Sequence, residues 1–305
     1  MKNLLLRSSR CSADREFGCC EKKQAMIDTN YLQLNLLIIK DFIVQDILKT
    51  VHVHIPFDFL PRFRETIIKE KMNLEIYFSH SVLNGLDMEL CRNTAEFINN
   101  NGVGVTFHAP FMDLRPAALD NKIRQASLER LKQVFELAPY FHPRRIVCHP
   151  SYDHRYYVSC DDEWLAAGAA TWNELIGLAE KAGTIIALEN VYERDPYILR
   201  RLFEILASDY ICFCFDTGHF NVFSRTPLKL WMQVLGDYLG HVHLHDNHGK
   251  ADEHLPVGCG TFPFDEFFRM LQEIKAQPLI TLEAHAQADL WQSIGNIKRM
   301  GILKY

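Results

Sequence analysis

The stretch RIVCHPSYDHRYYVSCDDEWLAAGAATWNELIGLAEKAGTIIALEN, residues 145–190, contains one complete strand–helix–strand unit. The short apolar runs at 145–149 and 185–189 have the length and the apolar content of buried strands. Between them, residues 162–182 have helical apolar spacing; Asp161 and Asp162 are a helix start signal, and Gly183 is a stop signal. Because a helix joins the two strands, the unit predicts parallel strands connected by a right-handed crossover.

The same alternation continues in both directions from about residue 47. The predicted strands are 51–55, 74–78, 103–108, 145–149, 185–189, 211–216, 241–246 and 279–285. Eight such units match a (β/α)8 TIM barrel, for which about 250 residues are typical. A doubly wound open sheet is the alternative, but its phosphate-binding G-x-G-x-x-G is absent, and GVG at 102–104 precedes a strand instead of following one. We therefore predict an α/β chain with a single (β/α)8 barrel domain at 47–305. Residues 1–46 are a short N-terminal extension, predicted to be partly disordered or helical.

The composition is that of a soluble globular protein. Of 305 residues, 48% are hydrophobic and 23% are charged, the net charge is −5, and no run of Lys or Arg exceeds two residues. A protein that neutralises many phosphates carries a basic stripe, so nucleic acid is disfavoured as a partner without being excluded. The nine cysteines form no CxxC pair, which is typical of free thiols in a reducing compartment. No signal peptide or membrane span is predicted, and we expect a cytoplasmic protein.

Carboxylates and imidazoles follow six consecutive predicted strands, at the end where a TIM barrel builds its active site. They are His108, His149, Glu189, Asp216 with His219 three residues on, His243 with Asp252 and His254 in the loop behind it, and Glu283. None is a thiolate, and such oxygen and nitrogen donors suit Mn²⁺, Mg²⁺, Co²⁺, Fe²⁺ or Zn²⁺. The sequence therefore predicts a divalent-metal site at the C-terminal face of the barrel.

These residues are not equally strong candidates for metal ligands. A lone histidine at a strand end is more often a hydrogen-bonded core or loop residue than a ligand. An acid that ends a buried apolar strand, in contrast, must be paired, protonated or metal-bound, which singles out Glu189, Asp216 and Glu283. His52 and His54 alternate with apolar residues on the first strand, and we interpret them as packing or pocket residues.

Seven segments, in this order and spacing, resemble the xylose-isomerase-like barrel superfamily, which contains sugar-phosphate isomerases and epimerases and also endonuclease IV. They are VTFHAPFMDL, IVCHPSYDH, IALEN, FDTGHFNVF, HLHD, DEHLPVGCG and ITLEAH. The resemblance to the isomerase and epimerase branch implies one divalent ion held by Glu189, Asp216, His243 and Glu283. It also implies that the two glutamates exchange a proton with the substrate carbon, and that His219 contacts substrate hydroxyls.

The resemblance to endonuclease IV implies a second interpretation, in which up to three zinc ions act on a phosphodiester. Residues of matching type stand at His108, His149, Glu189, Asp216, His219, His243, Asp252, His254 and Glu283. Clustered metals stabilise both the attacking and the leaving oxygen of an in-line displacement. Against this interpretation, the HAP, HP and HLPxGxG segments also occur in isomerase-like members, and the loop HDNHGKADEHLPVGCG is poor in basic residues.

We therefore predict a divalent-metal-dependent isomerase or epimerase of a sugar or sugar phosphate, with Glu189 and Glu283 as the catalytic pair. The additional metal or substrate-binding candidates are His108, His149, His219, Asp252 and His254. The alternative is a multinuclear-metal phosphodiesterase or abasic-site (AP) endonuclease. A small carbohydrate is the expected partner, a membrane is not, and a homo-oligomer is left open. The identity of the substrate and the number of ions stay undecided at this point.

Overall fold

Eight parallel strands close into a barrel in the computed structural model, which describes residues 46–303. The strands are β1 (Val51–Pro56), β2 (Asn73–Tyr77), β3 (Val105–His108), β4 (Arg145–Cys148), β5 (Ile185–Glu189), β6 (Ile211–Asp216), β7 (Leu239–Leu244) and β8 (Leu279–Leu282). Their order around the barrel is their order in the sequence, and the barrel closes where Val51 of β1 lies opposite Ile280 of β8. The predicted (β/α)8 TIM barrel is confirmed.

At least one helix follows each strand along the chain. They are α1 (Leu60–Glu70), α2 (His80–Asn84), α3 (Met88–Asn100), α4 (Asn121–Phe135), α5 (Ala138–Phe141), α6 (Asp161–Ala182), α7 (Tyr197–Leu206), α8 (Thr217–Phe223), α9 (Leu228–Leu235), α10 (Phe264–Glu273) and α11 (Gln287–Met300). Helix α6 has the predicted limits: it begins at Asp161, and Gly183 ends it in the left-handed conformation, with φ 67°.

The strand limits differ from the prediction by one residue at β1, β2 and β4, and by more at β3, β7 and β8. Strand β3 begins two residues late because the Asn73 side chain accepts a hydrogen bond from the backbone N–H of Gly104, at 3.0 Å, in place of a strand partner. Strand β7 begins two residues early, at Leu239. Strand β8 ends at Leu282, although the N–H of Glu283 still donates to the carbonyl oxygen of Leu244 at 3.2 Å. Glu283 is thereby held at the mouth of the barrel.

Strand β6 illustrates how the alternation of side chains separates the two faces of the barrel wall. Phe215 stacks on Phe267 of α10, with ring centroids 5.0 Å apart, and Phe213 stacks on Trp231 of α9 at 6.2 Å. The intervening Cys214 packs inside the barrel in a buried cluster with Val147 and Ala187. Because successive side chains of a strand point to opposite faces, Asp216 continues the inward row at the C-terminal end of β6.

The predicted N-terminal extension, residues 1–46, lies outside the described residues except for its last one, and it stays a prediction. Residues 46–50 are helical and lead into β1. All described residues belong to one compact unit, which begins at Gln45. Within residues 46–303, no helix combines the length and the apolar character that crossing a bilayer requires.

Candidate active site

Four predicted ligands meet around one atom, Nδ1 of His243 in β7. Glu189 and Asp216 are the last residues of β5 and β6, and Glu283 directly follows β8. The Nδ1 atom lies 3.1 Å from Glu283 Oε1, 3.5 Å from Glu189 Oε2 and 3.8 Å from Asp216 Oδ2. All four side chains are buried. The parallel strands thus bring three carboxylates and one imidazole together at the mouth of the barrel.

The spacing of these side chains fits a divalent ion. Oxygen and nitrogen ligands lie about 2.0–2.2 Å from such an ion, so neighbouring ligand atoms are roughly 3–3.6 Å apart. Nδ1 of His243 and Oε2 of Glu189 are buried and have no hydrogen-bond partner within residues 46–303. Buried polar atoms without partners are costly, and an ion between them would satisfy both. The residues therefore fit the predicted divalent metal.

His108 of β3 and His149, which follows β4, form a second group with Glu189. Their Nε2 atoms lie 3.3 Å and 3.2 Å from Glu189 Oε2. The His108 ring is oriented by its Nδ1, which donates to the carbonyl oxygen of Ala109 at 2.8 Å, so that Nε2 faces the site. Nε2 of His149 is buried and makes no hydrogen bond in the described part of the chain. Glu189 is thus shared between two groups of ligand atoms.

His219, Asp252 and His254 form a third group. Asp252 Oδ2 lies 3.4 Å from His219 Nε2 and 3.0 Å from His254 Nε2. This group adjoins the first, because His219 Nδ1 lies 3.0 Å from Glu189 Oε1. His254 has a left-handed backbone, with φ 50°, which is uncommon for a residue other than glycine. The fold therefore brings all nine predicted site residues together, while their binding of metal or substrate stays a prediction.

The DTGH segment fixes Asp216 relative to His219. Asp216 ends β6 and also caps α8, because its Oδ1 accepts a hydrogen bond from the backbone N–H of His219 at 2.6 Å. Glycine is required at Gly218, since a Cβ there would lie 2.0 Å from the ring of His245. Nε2 of His245 in turn lies 3.0 Å from both carboxylate oxygens of Asp216. His245, for which the sequence predicted no role, therefore orients the Asp216 carboxylate.

Burial and charge shift the pKa values of the site in opposite directions. Burial raises the pKa of Glu189 and Glu283, but the neighbouring imidazoles outweigh it and hold the pKa of both carboxyl groups well below the usual range. Burial lowers the pKa of His219, but Asp216 and the other carboxylates around it raise the pKa well above its usual value. Without metal, protonated imidazoles therefore balance the carboxylates. A divalent ion would neutralise the carboxylates in place of the protonated imidazoles, and the imidazoles would release their protons.

The site opens into a cavity of about 570 Å³. Its acidic side carries carboxylates and imidazoles, whereas its other side is aromatic and aliphatic. Phe111 stacks on Tyr77 with ring centroids 5.7 Å apart and on His149 at 4.6 Å, and Phe59 and Phe63 extend this apolar wall. No Lys or Arg belongs to the described lining of the cavity. The cavity thus presents acidic and apolar surface without a fixed cation.

A family model of xylose isomerase-like TIM barrels matches residues 73–299, which include strands β2 to β8 and all nine site residues. The chain belongs to this family. The resemblance that the seven sequence segments indicated is therefore confirmed, and with it the fold.

Relatives of this xylose isomerase-like barrel include the uncharacterized protein MJ1311 of Methanocaldococcus jannaschii, which is 32% identical over 189 residues. That match covers 59% of this chain and 64% of MJ1311, less than two thirds of its length. A solved structure of a D-tagatose 3-epimerase-like protein is 26% identical, with a TM-score of 0.67 over 82% of this chain and 97% of that one. The TTHB071 protein from Thermus thermophilus, soaked with ZnCl2, is 23% identical, with a TM-score of 0.72 over 84% and 100%. The last likeness shows the fold alone.

Glu75 of β2 is a residue of this xylose isomerase-like barrel that the sequence did not single out. It is buried inside the barrel, and its Oε1 lies 3.1 Å from Nε2 of His243. The available signal was an acid within the apolar run LEIYF, two residues from Tyr77 and so on the same strand face. His54, predicted as a packing or pocket residue, lines the cavity. Burial lowers the pKa of His54 to about 4, so its ring is neutral at neutral pH.

Proposed function

We propose that this chain is a divalent-metal-dependent sugar isomerase or epimerase that transfers a proton next to a carbonyl group. The observation that carries the proposal is the pair of buried carboxylates, Glu189 and Glu283, both within 3.5 Å of His243 Nδ1 and both in the wall of one cavity. Membership of the xylose isomerase-like family and the likeness to a D-tagatose 3-epimerase-like protein support the same class of reaction.

The proposed ligands of the metal are Glu189, Asp216, His243 and Glu283. When bound, a divalent ion supplies Lewis-acid polarisation of the substrate carbonyl and of the hydroxyl beside it. Three carboxylates and one imidazole suit Mn²⁺, Mg²⁺, Co²⁺, Fe²⁺ or Zn²⁺. His245 supports this arrangement by holding Asp216, because its Nε2 lies 3.0 Å from each carboxylate oxygen.

Proton transfer is the proposed role of the two glutamates. Neighbouring imidazoles overcome the effect of burial and keep both pKa values low, so each carboxylate is ionised, as a general base must be. In an epimerisation, one carboxylate takes a proton from one face of the substrate carbon. The opposite carboxylate first takes a proton from solvent and then gives it to the other face of the carbon. Which of Glu189 and Glu283 begins depends on the sugar. His219, in the same cavity wall, would contact substrate hydroxyls.

The lining of the cavity supports an uncharged sugar more than a sugar phosphate. Three carboxylates, those of Glu189, Asp252 and Glu283, belong to the described lining, whereas Lys and Arg do not. These carboxylates would therefore repel a phosphate group wherever a metal did not neutralise their charge. The stacked rings of Tyr77 and Phe111 offer a flat apolar surface for the C–H face of a sugar ring.

Deuterium incorporation from solvent tests the proposal directly. The purified protein, loaded in turn with Mn²⁺, Co²⁺ and Mg²⁺, is incubated in D2O with a panel of ketoses and aldoses, and the sugars are analysed by NMR. We expect an isomerised or epimerised product with deuterium on the carbon that loses its proton. Glu189→Gln and Glu283→Gln should abolish incorporation, while the exposed Glu253→Gln, in the loop after β7, should retain it. Epimerised product that carries no deuterium would contradict a transfer through two carboxyl groups that exchange with solvent.

A second candidate function is a multinuclear-metal phosphodiesterase of the endonuclease IV type. The observation that favours it is the assembly of all nine residue types in three adjoining groups, with His149 Nε2 3.2 Å from Glu189 and His254 Nε2 3.0 Å from Asp252. Metal content separates the two functions: one ion per chain supports the isomerase, and three ions, with one lost in His149→Ala, support the phosphodiesterase. Cleavage of an oligonucleotide with a single abasic site is the matching activity assay.

A further inference from the structure

A second polar layer lies inside the barrel, next to the candidate metal site and centred on Glu75 of β2. Its carboxylate is fully buried. Oε2 accepts hydrogen bonds from the hydroxyl groups of Thr106, at 3.1 Å, and Thr281, at 3.0 Å. Nε2 of His241 completes the layer, 2.8 Å from the Thr281 hydroxyl oxygen. Contacts from β3 and β8 therefore fix the orientation of the Glu75 carboxylate.

The second oxygen of that carboxylate faces a proposed metal ligand. Glu75 Oε1 lies 3.1 Å from Nε2 of His243, and both are buried polar atoms without a completed hydrogen bond to any group within residues 46–303. The opposite nitrogen of the ring, Nδ1, lies 3.1 Å from Oε1 of Glu283. The His243 imidazole thus spans the two layers, with Nε2 towards Glu75 and Nδ1 towards the carboxylates of the metal site.

We propose that Glu75 is a positioning residue: it accepts a hydrogen bond from the Nε2–H of His243 and so directs the lone pair of Nδ1 at the metal. An imidazole with its proton on Nε2 has its lone pair on Nδ1, which is the atom that faces the other ligands. A carboxylate behind a metal-bound histidine fixes the tautomer and the ring orientation and increases the basicity of the ligand atom. The inference rests on the proposed function, because it requires a metal at His243.

Stability alone does not explain a carboxylate at this position. Replacement of a buried ion pair by well-packed apolar residues is often neutral or stabilising, so such a pair is weak evidence for a role in stability. The strand neighbours Leu74 and Ile76 are buried on the opposite face of β2, so a change at position 75 leaves their packing in place. The hydroxyl of Thr281 keeps His241 Nε2 as a partner when the carboxylate is removed. Leucine at position 75 is therefore expected to keep the fold while removing the hydrogen-bond acceptor.

Cobalt titration of three variants tests the inference. Co²⁺ is added to the metal-free wild-type protein, to Glu75→Gln and Glu75→Leu, and to Glu193→Gln as the matched control. Glu193 is also a buried glutamate, but its Oε2 accepts from the backbone N–H of Val191 instead of contacting a ligand. Visible absorption reports both the dissociation constant and the ligand field of the bound ion. Thermal unfolding of the metal-free variants verifies that each is folded.

We expect the affinity for Co²⁺ to fall about 10-fold in Glu75→Gln and about 100-fold in Glu75→Leu, the range that loss of such a partner produces. The amide oxygen of glutamine can still accept from Nε2–H, so glutamine rescues part of the affinity that leucine loses. The ligand-field bands of bound Co²⁺ should change in Glu75→Leu, because His243 is no longer held. Glu193→Gln should bind as wild type does.

Three results would overturn the inference. The first is a wild-type affinity in Glu75→Leu, or in Glu75→Gln if the leucine variant does not fold. The second is weaker binding by the glutamine variant than by the leucine variant, which a packing role predicts. The third is a loss in Glu193→Gln as large as in Glu75→Leu. Failure of the wild-type protein to bind Co²⁺ is a different outcome, because it overturns the proposed metal site itself.

Discussion

The two sides of the cavity differ in chemistry, although strand ends of one barrel build both. Strands β3 to β8 each bring a carboxylate or an imidazole to the mouth, and these groups converge on His243 and Glu189. Strand β1 brings the neutral imidazole of His54 and strand β2 brings Tyr77, and Phe111 completes an aromatic wall. The difference separates two tasks: the acidic side is suited to hold a cation and move protons, and the aromatic side is suited to hold a sugar.

The largest expected effect belongs to the acidic side. Glu189→Gln and Glu283→Gln should each lower kcat by about 10³-fold or more, because each change removes both a general base and a metal ligand. Circular dichroism should show an intact fold. Glu253→Gln, an exposed acid that pairs with His248, is the control and should keep wild-type kcat. Turnover near the wild-type rate in either glutamine variant would assign the chemistry to other residues.

Removal of the proposed metal should lower the stability of the folded protein. A chelator is expected to lower the free energy of unfolding by about 3–4 kcal/mol relative to protein held at 100–1,000 times the dissociation constant, and to abolish turnover. The affinity for metal should rise with pH. Burial lowers the pKa of the proposed ligand His243, but the acidic groups around it raise that pKa well above its usual value, and the imidazole must lose its proton to accept an ion. Differential scanning calorimetry with and without chelator measures the change in unfolding temperature and stability.

His248→Ala is the control for that experiment, since His248 is exposed and pairs with Glu253 outside the three ligand groups. It should show the full chelator effect, whereas His243→Ala should show almost none. An unchanged unfolding temperature of the wild-type protein after complete metal removal would contradict a resident ion.

Glu193 is a buried acid near the acidic side of the cavity. It makes no contact with the nine site residues in the described hydrogen bonds and ion pairs, so it shows how a buried acid outside the site behaves. Burial raises its pKa from 4.5 to about 7. The folded protein therefore binds more protons than the unfolded chain between these values, and stability falls as pH rises from about 4.5 to about 7. At 1.36 kcal/mol per pKa unit, the loss is about 3 kcal/mol at most.

Glu193→Gln should remove this pH dependence. Urea unfolding at pH 4.5 and pH 8 gives the difference in unfolding free energy between the wild-type protein and the variant, and that difference should shift in favour of the variant by up to about 3 kcal/mol as pH rises. Glu253→Gln supplies the baseline of an exposed acid. A difference that stays constant with pH would mean that Glu193 is ionised throughout.

The smallest expected effect belongs to the aromatic side. Phe111→Ala removes a ring that stacks on both Tyr77 and His149, and KM for the sugar should rise about 10-fold, the equivalent of 1.4 kcal/mol of binding. The turnover number should change little. Met112→Ala is the control, because Met112 is the next residue, is 56% exposed and does not line the cavity. A loss in kcat comparable to that of Glu189→Gln would erase the distinction between the two sides.

Sequence reasoning succeeds where topology alone decides position. Once the strands were recognised from their apolar runs, a parallel barrel required Glu189, Asp216 and Glu283 to share one face, and the structure places them there. The strand limits were less accurate, because a local contact such as that between Asn73 and Gly104 decides where pairing begins.

Sequence reasoning fails where the outcome depends on how deep a side chain lies and how it is rotated. Glu75 stands in an apolar run like any strand acid, and only the closed barrel shows that it faces His243. His245 looked like one more member of a histidine-rich segment, whereas its ring lies against Gly218 and orients Asp216. The apolar run around Glu75 signals a buried acid but not its partner, because β2 and β7 are far apart in the chain. The contact of His245 with Asp216 depends on how the imidazole ring is rotated.

The barrel closes only when β8, the last strand, pairs with β1, the first. During synthesis, the histidines and acids of β3 to β6 leave the ribosome long before β8 does. Pairing between such distant segments is slow to form. The chain must lose the conformational entropy of a long loop before the stabilising contacts between the strands form. Glu283 follows the last strand, so its carboxylate arrives after the other members of the first ligand group. A nascent chain that stops short of β8 therefore lacks one of the four proposed ligands, and the proposed metal would bind after translation.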